Sequence, residues 1–97
     1  MKYYMLEGSF ANDLPEPVAL QEALQAHLAY LKTGFEDGSI LLSGPKVGAG
    51  GGVIVLKSED IEAFCQNDPL VKAGVQQYRV TEFMFYNGQN GVKNWFA

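Results

Sequence analysis

Hydrophobic positions along this chain change period several times, and each change marks an element. Residues 2–10, Lys-Tyr-Tyr-Met-Leu-Glu-Gly-Ser-Phe, carry aromatic and apolar side chains at close spacing and predict a strand. On a period of two, Tyr4 and Leu6 share one face while Tyr3, Met5 and Glu7 share the other. Ser9 is expected on the face of Tyr4 and Leu6, and Gly8 would allow a bulge or a close approach by another chain. Ala11 to Pro17 is a polar, proline-bearing turn, and Pro17 suits the first turn of a helix, where its missing N–H costs nothing. From there to Glu36 the period becomes helical. Leu20, Leu24, Leu28, Leu31 and Phe35 make one apolar stripe to lie against a sheet. His27 falls between Leu24 and Leu31, at the edge of the stripe and partly shielded from water. Gly38 closes the helix.

Ser39–Lys46 predicts a second strand and the β-branched run Val53-Ile54-Val55-Leu56 a third. Between them lies Val47-Gly48-Ala49-Gly50-Gly51-Gly52. Glycines that cradle phosphate open a helix whose N-terminus holds the anion. These lead into a strand, and no Gly-Lys-Ser/Thr follows, so a flexible hairpin loop is expected. Ser58 is a good N-cap for a short second helix with Ile61, Phe64 and Cys65 on its buried side. Asn67-Asp68-Pro69 breaks that helix, because the residue before proline is pushed out of the α region. Pro69–Gly74 adds one helical turn closed by glycine, and Val75–Tyr86 predicts a fourth strand. The tail, residues 87–97, ends in Trp95-Phe96-Ala97. Two large aromatics there are expected to dock on a neighbouring subunit or to close a pocket.

The order is βαββαβ, a ferredoxin-like split-βαβ α+β fold: one antiparallel sheet with two helices on one face. A monomer of this design would leave the other sheet face wet, so a homodimer with a barrel-like core is expected, each sheet face covering its copy. The 97 residues make one domain, 1–97. A net charge of −4 with seven scattered basic residues gives no basic patch, which argues against nucleic acid as a partner. No tract is long and apolar enough to span a membrane. The start is too short and polar for a signal peptide, and the lone Cys65 forms no internal disulfide, so the cytoplasm is the expected location.

The only histidine is His27, and if the fold brings Asp68 to it the chain has an imidazole and a carboxylate at one site. A carboxylate bonded to one imidazole nitrogen fixes the tautomer and raises the basicity of the other. That would suit general acid–base catalysis, a proton shift or an elimination, on a small organic molecule. One histidine and one carboxylate are a thin ligand set for a metal, and no cofactor is implied. Ser43 lacks a motif that presents it as a nucleophile. Gly44 and Pro45 would let a ligand approach the backbone beside the pair, with Ser43 and the Tyr4 hydroxyl as further substrate contacts. Bland readings stand beside these. A single helix histidine is often a satisfied core residue, and Asp68 would serve as an ordinary turn residue.

Three blocks resemble the YciI-like family of small proteins: His27-Leu28-Ala29-Tyr30-Leu31, Gly38-Ser39-Ile40-Leu41-Leu42-Ser43-Gly44-Pro45, and Asp68-Pro69-Leu70-Val71-Lys72-Ala73-Gly74-Val75. The resemblance covers roughly residues 1–86, with the three blocks in the family's order. The resemblance implies a dimeric α+β barrel, related to muconolactone isomerases and ferredoxin-like monooxygenases, with a His–Asp pair facing a small cleft that falls on His27 and Asp68. Some members carry an arginine one turn before the histidine, where this chain has Leu24. The family's role is mostly unassigned, with one branch acting as a lyase on chlorinated ring compounds. A cofactor-independent isomerase or lyase is therefore the first expectation. A non-catalytic ligand-binding or assembly module using the same cleft is the second.

Overall fold

The computed structural model describes all residues, 1–97. Its elements are β1 (Lys2–Phe10), α1 (Pro17–Glu36), β2 (Ile40–Pro45), β3 (Gly52–Ser58), α2 (Ile61–Asn67), α3 (Pro69–Lys72), β4 (Gln76–Phe83) and α4 (Asn90–Phe96). The strands form one antiparallel sheet in the order β2-β3-β1-β4, the ferredoxin-like α+β arrangement.

Register decides which side chains meet the helices. Tyr4 pairs with Leu56 and Leu6 with Ile54 across β1 and β3. Tyr4, Leu6, Ile54 and Leu56 point to the same face and, with Ile40 and Leu31, form the core. Full burial of an aliphatic side chain such as Leu6 or Leu56 contributes about 1.5–3 kcal/mol, so this small cluster supplies much of the drive to fold. Gly34 brings β2 against α1, because a Cβ there would lie 2.4 Å from Ile40 Cδ1.

Several expectations change. The inward line of α1 runs through Leu24, His27, Leu31 and Gly34, while Leu28 and Phe35 are 64% and 44% exposed. The helix is thus rolled so that His27 faces inward rather than along an edge, since Gly34 gives the closest fit to β2. β1 has no bulge: Gly8 pairs in register with Tyr78, and Ser9, paired with Gln77, stays on the outer face. The N-cap of α2 is Asp60, whose side chain accepts from the Ala63 N–H at 3.0 Å, while the Ser58 hydroxyl oxygen accepts from the Asp60 N–H.

The tail forms α4 and folds back on the outer face of its own sheet. Tyr3 Oη donates to the Phe96 carbonyl at 3.2 Å, and Trp95 Nε1 donates to the Gly38 carbonyl at 2.8 Å. Lys57 Nζ sits 4.7 Å from the Trp95 ring centroid, and the Phe85 and Phe96 rings stack at 4.1 Å. The helix therefore covers one corner of that face. Met5, Leu42 and Val53 remain exposed on the rest of it.

Candidate functional site

Asp68 is the C-cap of α2 and the N-cap of α3 at once, with extended backbone (φ −65°, ψ 126°) imposed by Pro69. That kink drives its carboxylate inward, where it is fully buried. Burying a charge is costly unless each oxygen is met by donors. Here donors come from three elements. Oδ1 accepts from the Leu70 N–H at 2.9 Å and lies 2.8 Å from His27 Nδ1. Oδ2 accepts from the Tyr78 hydroxyl and lies 2.9 Å from the same His27 nitrogen. No buried side-chain nitrogen or oxygen in the chain lacks a partner.

The tautomer follows from this geometry. A carboxylate accepts, so Nδ1 carries the ring proton and the neutral ring presents its lone pair at Nε2. Nε2 has no hydrogen-bond partner in the protein, and the His27 side chain, 13% exposed, lines a cavity. The Tyr78 hydroxyl is pushed well above the ordinary phenol range, first by burial and then by its bond to Asp68 and the carboxylate's charge. It therefore stays protonated and keeps donating. Burial, reinforced by Asp68, also raises the Cys65 thiol to about 11, which leaves it a poor nucleophile at neutral pH.

The cavity has a volume of about 390 Å³. One wall is α1, with Leu24, His27, Leu28 and Leu31, and the other is Ser43, Gly44 and Pro45 of β2 with the glycine loop from Ala49 to Gly52. Tyr78, Gln76, Leu70 and Phe10 complete it. The loop is held in shape: the Lys46 N–H donates to the Gly51 carbonyl at 3.0 Å, and Gly51 adopts φ +92° with no room for a Cβ beside the Gly8 carbonyl.

A family model for the YCII-related domain matches residues 1–84. The chain belongs to that family. A comparison with curated proteins finds no match to it. The match ends before α4, so the helix that covers a corner of the outer face lies beyond the shared domain.

Of the residues singled out in the sequence, this YCII-related domain brings together His27 and Asp68, and it lines the same cavity with Ser43, Gly44 and Pro45. Tyr4 is elsewhere. It is buried in the core with Leu31 and Leu56 and does not line the cavity. Sequence reasoning missed Tyr78, Gln76 and Leu70. The signal for the first two was their alternation along β4, but which parity faces inward is set by pairing with β1. The glycine loop was expected as a plain hairpin and proves to be a wall. No group of three or more His, Cys, Asp or Glu side chains is placed to hold a metal ion, and no helix is long and apolar enough to cross a membrane.

Proposed function

We propose that this YCII-related domain is a small cofactor-independent enzyme of isomerase or lyase type. In this reading His27 Nε2 moves a proton on a small organic molecule held in the cavity. One observation carries the reading: His27 Nδ1 is anchored to a buried carboxylate while the ring faces a cavity with Nε2 unpaired. Asp68 orients the ring and stabilises the imidazolium that forms, and Tyr78 and the Leu70 N–H position Asp68. The proton leaves a carbon or oxygen acid for Nε2 and returns either to another atom, giving a proton shift, or to a departing group, giving an elimination. General acid–base assistance of this type is worth about 10²–10⁴-fold, adequate for an already acidic substrate.

The mainly apolar lining favours a second reading, in which the cleft retains a small molecule without turnover. Exchange of carbon-bound hydrogen for deuterium, followed by NMR over a panel of small carbon acids, separates the two. The enzyme should speed exchange in at least one compound, and His27→Ala should lose most of that rate. No exchange in any compound, with a ligand retained unchanged, would leave the binding module. Exposed Met5, Leu42 and Val53 on the outer sheet face support pairing of two copies through that face, which light scattering on the purified protein tests. A cytoplasmic location fits an unpaired Cys65 and the lack of a membrane-spanning helix.

A further inference from the structure

The cavity contains one buried polar side chain that the proton-transfer reading does not use. Gln76 is 5% exposed and lines the cavity, and the protein group its side-chain amide reaches is the Tyr78 hydroxyl. It approaches the Tyr78 hydroxyl closely enough to offset slightly the rise in that group's pKa. No fully buried side-chain nitrogen or oxygen lacks a partner, so whatever donor and acceptor capacity Tyr78 leaves on this amide opens to the cavity. Space for this amide is made by Gly8: a Cβ there would fall 2.5 Å from Gln76 Oε1. Gly8 and Gln76 thus form a local arrangement that keeps an amide donor and acceptor at the wall of the His27 cavity, within reach of a ligand.

Charge narrows what the amide can meet. No lysine, arginine, aspartate or glutamate lines the cavity, and the walls include Phe10, Leu24, Leu31 and Ile54. Lys46, which follows the lining residue Pro45, is turned to Glu7 Oε2 at 3.4 Å and Ser9 Oγ at 3.2 Å. The only cation available to a ligand would be a protonated His27, and a protonated imidazole is no base. The ligand class therefore rests on the proton-transfer reading: with His27 neutral, an anion in this cavity would be desolvated without a counter-charge.

We infer that Gln76 is a substrate-binding residue, and that the site takes an uncharged carbonyl compound whose oxygen accepts from the Gln76 side-chain N–H while its α C–H faces His27 Nε2. At the ~30 Å³ a water occupies in the liquid, the cavity has room for about a dozen non-hydrogen atoms. His27 Nε2 takes the α proton, the C–H electron pair becomes the new C=C bond, and the carbonyl pair moves to oxygen. Gln76 donates to that enolate oxygen, and the imidazolium returns the proton to carbon.

Phenylacetone and phenylacetate test this, because they match in size and differ by a methyl group in place of an anionic oxygen. Titrating each into the ¹⁵N-labelled full chain, the ketone should shift the Gln76 side-chain NH₂ and His27 ring signals, with phenylacetate binding at least about tenfold more weakly. Gln76→Leu should weaken the ketone about tenfold, the worth of one net hydrogen bond. Gln76→Met serves if the leucine variant fails to fold, and the NH₂ shift in the parent reads the contact with no variant at all. Equal or tighter binding of phenylacetate overturns the inference. So does ketone binding that leaves the Gln76 NH₂ unmoved, or binding of neither compound. Gln76-dependent ketone binding without His27-dependent deuterium exchange at the α carbon supports the ligand class and refutes the proton-transfer role.

Discussion

Asp68→Ala takes away both oxygens on which three donors converge, whereas Asp68→Asn removes only the charge and one acceptor. In the alanine variant the Tyr78 hydroxyl and the Leu70 N–H lose their partner in a buried setting, and His27 Nδ1–H is left facing the space vacated. Each buried donor left unpaired costs about 1–3 kcal/mol, and Asp68 is also the N-cap of α3. Because Nδ1–H can recruit water from the cavity, the total is expected at about 3–5 kcal/mol, the range for breaking a buried pair. The asparagine variant behaves differently. Its carbonyl oxygen can occupy the Oδ1 position and keep both Leu70 and His27, while its amide donates to the Tyr78 oxygen, which turns from donor to acceptor. That exchange leaves only the Tyr78 O–H without its acceptor, at the wall of the cavity, and the cost should be about 1–2 kcal/mol. In a domain of this size the two values translate to midpoint losses of roughly 15–30 °C and 5–12 °C. Urea unfolding with Trp95 fluorescence measures both, and ¹⁵N shifts of the His27 ring report whether Nδ1 keeps its proton. An alanine variant no less stable than the asparagine one would show that the convergence on Asp68 does not stabilise the fold, and the account would fail.

Alkaline pH should also weaken the fold. Cys65 titrates near 9.0 when unperturbed and at about 11 in the folded chain, so its contribution is complete below pH 9 and is lost as pH rises toward 11. Tyr78, raised above its ordinary value of 10.0, extends the loss beyond that point. Urea midpoints should fall above pH 9, and the Cys65→Val variant should show a later onset; a midpoint flat to pH 11 would contradict the sign. The same thiol should carry about 100-fold less thiolate at pH 8 than an unperturbed cysteine, and correspondingly slow alkylation by iodoacetamide checks it. Gly51→Ala should be among the most damaging single changes, because a Cβ would fall 2.0 Å from the Gly8 backbone oxygen at φ +92°. About 2–4 kcal/mol of stability should go, read by thermal unfolding. Gly44→Ala on the same wall, with nothing within 4 Å of its Cβ, should be nearly neutral in stability.

Element types, their order and the location of the breaks were legible in the chain itself, because local chemistry sets them. Pro17 opens α1, Gly38 and Gly74 close helices at positive φ, and Asn67-Asp68-Pro69 ends α2 where the residue before a proline must leave the α region. His27 and Asp68 were legible as a pair through the resemblance to the YciI-like family; by spacing alone each had an ordinary structural reading. The roll of α1 was not. A stripe drawn through leucines selects Leu28 and Phe35, whereas the packed line passes through His27 and Gly34, since a glycine against Ile40 allows closer approach than any apolar side chain. Tyr78 and Gln76 were invisible as site residues, because a one-residue shift of β4 against β1 would have put both on the outer face. The tail was read as docking on a neighbour or closing a pocket, and its seat on the sheet of its own chain is set by Tyr3, Gly38 and Lys57, residues far from it in sequence. Spacing along a chain records what each segment prefers by itself. Which polar groups share a cavity depends on register and close packing between segments, and only the folded chain decides that.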